Sequence, residues 1–465
     1  MSAITLEIFD AGGPQAGYIG WSPVRLKISG TSAVGSRSVV LKSRSLSGSV
    51  SRAVFIERFG TAPQDEITVN LGPTNEVEIF VAGKFQPGKP HNGASADSKD
   101  VVVEAAWADQ PTQVTGSLDL MIRVRKNANQ LSEKARTDFL NALATLNGIK
   151  TGQGTTPGPG KGVYVTDFVG MHVAGATGNE HGDSMFLPWH RLYLLDLERL
   201  LQQVNPAVTL PYWRFDEPAP NLFSEDFIGA TESIPPNSPF TQGVSDKRAT
   251  FAATNPLSQW KIGEVNGISR AAFFDTKSHP ASGQVGFRLI NQLQTLALGG
   301  EIGAFGAKRT QFSAMEGTPH GAAHVSFNGP INFVPEAPKD PLFFLLHCNV
   351  DRLWGLWQFT FKRDVANENL SYPYQNDAST PDSWKVIHAP QWPWEDSLSR
   401  PGNLRPPGVR NRNFTQSPTG KTIPGNVPVI VDAIDANGQH DPQNYLGFAF
   451  DDVPFDYDRA LELIA

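Results

Sequence analysis

DPLFFLLHCNVDRLWGLWQF, residues 340–359, decides the fold of the middle of this chain. The apolar run behind Pro341 is too long for a strand and predicts a long buried helix. It carries one histidine, His347. Asp351 follows by four residues and Phe343 precedes by four, so both share its helix face. Asp351 is placed to take an imidazole N–H and fix the tautomer, or to pair with Arg352 at the surface. Phe343 is placed to pack beneath whatever His347 holds, or simply in the core.

Outward from that helix, PWHRLYLLDLERLLQQV (188–204) and YVTDFVGMHV (164–173) predict two more helices. Ser132 is an N-cap ahead of EKARTDFLNALATL (133–146), with Gly148 past its end. Before residue 117 the texture is different. ITLEIFD, PVRLKIS, RSVVLKS, AVFIERF, EITVNL, EVEIFVAG and VVVEAAW are β-branched runs separated by turn residues, the pattern of a β-sandwich or barrel. After residue 362 the chain is proline-rich, with PVIVDAI and YLGFAFDD as expected strands. The reading is a multi-domain α+β protein. Residues 1–117 form a sandwich-like β domain, 118–362 a mainly helical domain, and 363–465 a loop and strand segment packing on the core.

A net charge of −7 argues against nucleic acid as a partner. No apolar run is long enough for a membrane span. The N-terminus lacks the basic and apolar regions of a signal peptide, and Cys348 is the only cysteine, which together predict a cytoplasmic protein without disulfides.

The histidines carry the chemistry. His172, His181 and His190 form H-x8-H-x8-H; His320 and His324 form H-x3-H in EGTPHGAAH, with His347 on the next apolar helix. His91, His279, His388 and His440 lie in turn contexts and read as solvated surface. A pair four apart puts both rings on one helix face, yet taken alone it is more readily structural than metal-binding. Gly321 stands where a zinc protease of the H-E-x-x-H type has its base. Two sets of three, without cysteine or carboxylate, suggest two metals in imidazole coordination. Imidazole suits copper, zinc, iron and nickel alike, and three ligands leave a position open for catalysis.

FLPWHRLYLLDLERLL with LPYW downstream, then PHGAAH, then DPLFFLLHCNVDRLW, resemble the tyrosinase, polyphenol oxidase (catechol oxidase) and hemocyanin superfamily over about residues 120–362. The resemblance implies a four-helix bundle holding two copper ions. His172, His181 and His190 would bind the first copper, and His320, His324 and His347 the second. It implies oxidation of o-diphenols to o-quinones by dioxygen, with o-hydroxylation of monophenols as a further activity. Oxidation of o-aminophenols and hemocyanin-like dioxygen carriage are the alternatives. Partners would be small phenols, dioxygen and a copper chaperone.

Some positions match the family's pattern and others depart from it. Glu316 matches a glutamate that holds a water near the metals in plant-like members, where it would serve as base for a phenol; a helix first-turn charge is the other reading. Phe333 matches an aromatic gate over the second copper. Gly321 replaces an asparagine that assists that water in several hydroxylating members. Leu346 replaces the first of two adjacent histidines, but the ligand is the second. Asn179 stands where many members have a thioether-forming cysteine, and Cys348 should point away from the metals, so no thioether is expected. Phe448, Phe450 and Phe455 either insert over the site as a placeholder or pack with the C-terminal strands.

Overall fold

Alternation builds the first part of the chain. In Ala3–Ile8 (β1) every second residue is buried, and the same period runs through Glu66–Asn70 (β6). The computed structural model describes residues 3–8, 16–31, 38–46, 51–58, 61–84, 97–148, 165–177, 181, 185–284, 286–303, 310–365, 368–372, 387–394, 414–417, 419–441 and 444–455. The remaining strands of this part are Tyr18–Ile19 (β2), Val24–Thr31 (β3), Ser38–Ser45 (β4), Ala53–Ile56 (β5), Glu76–Gly83 (β7), Val101–Trp107 (β8) and Val114–Ile122 (β9). They form two sheets, ordered β1-β3-β7-β5 and β2-β9-β8-β4-β6. Leu26, Ile28, Val39, Leu41, Val81 and Val103 fill the core the sheets share. Each such side chain contributes about 1.5–3 kcal/mol on burial.

The expected boundary at 117 cuts through β9. Gly116, Ser117 and Asp119 dilute its β signal, yet the strand is held by pairing along β8 with an irregularity at Ala105/Ala106. A Cβ at Gly116 would lie 2.3 Å from the Ile4 carbonyl oxygen, so only glycine lets the sheets approach there.

Contacts divide the chain into two compact units. The first holds Met1–Arg125, Gln416–Thr422 and Asp435–Ala465; the second holds Lys126–Thr415 and Ile423–Ile434. The residues after 362 are therefore shared between the units and do not form one segment. PVIVDAI contains a helical turn, Ile430–Ile434 (α7), where a strand was expected, because the Asp432 carboxylate accepts the Val429 N–H at 2.9 Å and closes a local turn. YLGFAFDD forms no strand; Phe450 makes one isolated bridge with Arg125. Phe448 and Phe450 flank the Arg125 guanidinium at 4.1 and 5.2 Å, and Phe455 joins the sandwich core. These three aromatics serve the first unit.

The second unit is helical: Glu133–Leu146 (α1), Val165–Thr177 (α2), Phe186–Val204 (α3), Gln292–Leu296 (α4), Ala322–His324 (α5) and Leu342–Phe361 (α6), with α7. Ser132 Oγ accepts the Ala135 N–H at 3.1 Å, the cap expected of it. α3 packs against α1, α6 and α7 and is buried on nearly every side, charged residues included. Each charge has a partner, as burial requires. Arg191 meets Asp351 at 2.5 Å, Asp196 accepts from Trp394 Nε1 and the Thr415 N–H, Glu198 accepts the Leu210 N–H, and Arg199 donates to the Thr415 carbonyl. α6 starts at a wholly buried pair in which Arg270 Nη1 contacts Asp340 at 2.8 and 3.1 Å; Asp340 also accepts the Leu342 N–H. Among the described residues no helix is long and apolar enough to cross a membrane.

Candidate metal centre

The sequence brings six histidines to this unit from several elements. His172 lies on α2, His190 near the start of α3, and His181 between them; His347 lies on α6. His320 and His324 sit on an irregular turn and not on a full helix. A 3₁₀ segment, Gln311–Glu316, leads into Gly317–Gly321, where Thr318 is extended (φ −149°, ψ 121°) before helical geometry resumes towards α5. The i, i+4 spacing survives, and the two imidazoles meet with centroids 4.6 Å apart. Of the histidines read as surface, His279 and His388 are exposed, His440 is half-buried, and His91 lies outside the described residues.

Backbone carbonyls fix the rings. Nδ1 of His190 donates to Phe186 O at 2.7 Å, Nδ1 of His320 to Glu316 O at 2.7 Å, and Nδ1 of His324 to Ile331 O at 2.5 Å. In that tautomer each Nε2 carries the free lone pair. Nε2 of His347 lies 3.2 Å from that of His320 and 3.1 Å from that of His324, so three ring nitrogens crowd one point. Within each triad the donor atoms all lie within 4.8 Å of one another. His190 Nε2 is buried without a hydrogen-bond partner, and His172, near the Pro335 carbonyl, makes no hydrogen bond of full geometry through either ring nitrogen. Orphaned, convergent imidazole nitrogens are costly in a protein interior unless a cation collects them.

Burial keeps His172, His190, His324 and His347 neutral, the form a metal needs. It pushes His172 down to about 3, opposed by the Pro335 carbonyl, and His324 down to about 4, opposed by the Ile331 carbonyl. His190 and His347 fall well below the ordinary histidine value, from burial first and then from neighbouring imidazoles.

Two phenylalanines join the triads. Phe343 is 4.2 Å from His347 and 4.7 Å from His172 between centroids; Phe186 is 4.7 Å from both His190 and His320. Their positions four residues before a histidine were visible in the sequence; their bridging between triads was not.

Other residues singled out in the sequence fall as follows. The Asp351 carboxylate pairs with Arg191 at 2.5 Å, and His347 Nδ1 has no hydrogen-bond partner, so Asp351 fixes no tautomer there. Arg191 was missed; its signal was a charge directly after His190 in an apolar run. It also donates to Gln358 and the Ala433 carbonyl and lies 3.7 Å over the Trp354 ring. Glu316 is buried, and its main chain orients His320. Gly321 follows His320, and a Cβ there would lie 3.3 Å from a ring carbon of Phe287. The half-buried Phe333 packs over Gly243, and no described ring contact joins it to a triad. Cys348 is fully buried, its thiol donating to the Leu210 carbonyl at 3.4 Å. Asn179 lies outside the described residues.

This donor set suits a pair of imidazole-bound metals, and comparison with known proteins gives the class. Residues 164–360 match the family model described as the common central domain of tyrosinase. Residues 164–360 thus carry the central domain of the tyrosinase family, whose members use a pair of copper ions, and the two histidine triads of this domain suit two metal ions. It is 31% identical over 184 residues to a tyrosinase of Hahella sp., covering 38% of this chain and 37% of that relative. The chain thus spans little more than a third of that relative's length. It is 27% identical over 325 residues to grixazone synthase of Streptomyces griseus, covering 59% of this chain and 94% of that relative. A solved polyphenol oxidase from Thermothelomyces thermophila aligns at 17% identity with a TM-score of 0.40, over 70% of this chain and 88% of the other.

Proposed function

We propose that the protein oxidises o-diphenols to o-quinones with dioxygen. His172, His181 and His190 would hold one copper, and His320, His324 and His347 the other. The observation that carries the reading is the convergence of two largely buried imidazole triads across the contact between His190 and His347, whose rings stack at 4.4 Å and 13°. When bound, the copper pair activates dioxygen and accepts the two electrons that each diphenol gives up.

The chain's own residues prepare that chemistry. The carbonyls of Phe186, Glu316 and Ile331 hold three rings by their Nδ1 protons and aim Nε2 at the metal. Phe186 and Phe343 keep water from the rings they contact. The Glu316 carboxylate, through a held water, takes the phenolic proton as the substrate binds. Phe333, which packs against Gly243, would gate the second copper by its match to the family's pattern, and Gly321 leaves that water without the amide of the hydroxylating members. Oxidation of diphenols is therefore the principal activity, with hydroxylation of monophenols and oxidation of o-aminophenols as extensions of the same chemistry.

The test is oxygen uptake by the copper-loaded protein with catechol and phenol side by side. Quinone formation from catechol supports the reading. Reversible oxygenation without turnover of any phenol would make the protein a dioxygen carrier instead. Metal analysis returning zinc in place of copper would point to hydrolysis.

A further inference from the structure

Phe287 is one of the exposed apolar side chains of this surface. It is 39% exposed, yet it is held in place from both sides. Before it, Gly283 sits at φ +69°, with its N–H donated to the buried Ser326 Oγ at 2.8 Å. A Cβ at Gly283 would strike the Phe287 carbonyl oxygen at 2.3 Å, so the chain doubles back there only because residue 283 is glycine. After it, the Arg288 carbonyl accepts from Thr318 Oγ1, two residues before His320. The Phe287 N–H donates to Gln284 O at 3.1 Å. The ring is thereby set over Gly321, with two of its carbons 3.3 and 3.4 Å from where a Cβ would stand.

We propose that Phe287 is a specificity-determining residue of the phenol site, an aromatic wall beside His320 that receives the apolar ring substituent of the substrate. This rests on the phenol-oxidase reading above. The occupant follows from chemistry and continuity. The ring adjoins the residue that directly follows a triad histidine, and His320 and His324 are 4 and 5% exposed, whereas His347 is 0% exposed. His320 and His324 are thus the histidines of the second triad that keep any accessible surface, and His320 directly precedes Gly321, over which Phe287 stands. A rigid exposed aromatic there gains by covering itself with apolar surface. Gly321 acquires a role of its own in this arrangement. The side chain it lacks is what leaves room for the Phe287 ring.

The experiment compares catechol with 4-tert-butylcatechol on the copper-loaded protein, wild type against Phe287→Ala, Phe287→Leu and Gly321→Ala. Phe287→Ala should raise the ratio of KM for 4-tert-butylcatechol to KM for catechol by about fivefold, the scale of a few lost apolar contacts. Phe287→Leu should restore most of it. Gly321→Ala, which pushes the ring aside, should move the ratio in the same direction as Phe287→Ala. A second readout is independent of turnover: calorimetric binding of benzoate and 4-tert-butylbenzoate without dioxygen, where the ratio of dissociation constants should change in parallel. Ratios unchanged in Phe287→Ala, at unchanged copper content, overturn the inference. If the wild type turns over neither catechol, the phenol-oxidase reading fails by itself, and the binding ratio alone decides whether Phe287 contacts the ligand.

Discussion

His190 and His347 lie face to face, 4.4 Å between centroids and 13° from parallel, one from each triad. The helices that carry them are clamped by a second relationship one residue and four residues further on, the buried pair Arg191–Asp351. The spacing of the two proposed metals is therefore set by how α3 packs on α6, and the predictions below probe that packing and the ligands it presents.

His347→Ala removes the nitrogen on which His320 and His324 converge. Copper content should fall from about two to about one per chain, because a site reduced to two imidazoles loses its closed donor set. Atomic absorption of the purified protein measures this. An unchanged stoichiometry would place the metals elsewhere.

Asp351→Leu leaves the Arg191 guanidinium buried without its carboxylate. Loss of one partner of a buried pair costs about 3–5 kcal/mol. Arg191→Met together with Asp351→Leu should recover much of that loss, since neither charge is then stranded. Denaturant titration of the two variants decides it; equal destabilisation of single and double variants would show that the pair is not the cause.

Arg270→Met strands Asp340 at the start of α6. Burial pushes the Asp340 carboxyl above its ordinary value and Arg270 opposes this, so removing the cation raises it further. A carboxyl whose folded pKa is raised holds its proton more tightly when folded than unfolded. Its contribution is complete below the unfolded pKa and is lost as pH rises through the folded one. The stability deficit of Arg270→Met relative to wild type should therefore grow as pH rises from about 4 towards neutrality. A deficit that is flat across that range contradicts the assignment.

Glu316→Gln keeps the backbone carbonyl that orients His320 but removes the proposed base. Catechol turnover should drop by about 10²-fold at unchanged copper content, the usual scale for a lost general base. Turnover within about twofold of wild type would leave Glu316 as a charge at the start of a helical turn and nothing more.

The long helices were legible because their apolar runs exceed what any strand uses, and Ser132 marked the start of α1 where it lies. The six histidines were legible because they cluster around those helices. What escaped was set by tertiary contact or by local hydrogen bonds too short-ranged to leave a period. β9 stands outside the β-branched runs, and the expected boundary at 117 cuts it, because its strand state comes from pairing with β8. Ile430–Ile434 reads as a strand by its β-branched residues, but Asp432 closes it into a turn. His320 and His324 read as a pair on one helix face, and the extended backbone of Thr318 leaves them on an irregular turn. Asp351 stands in helical register with His347 and yet serves α3, because Arg191 is the charge it meets.

The position of Cys348 bears on how long such an enzyme would last. o-Quinones are electrophiles that add to thiols, so a protein making them risks arylating itself. Here the single thiol sits beside a proposed copper ligand in sequence, but it is sealed at 0% exposure and donates to the Leu210 carbonyl. A chain making o-quinones would thus offer them no accessible thiol to attack, and its inactivation would come by other chemistry.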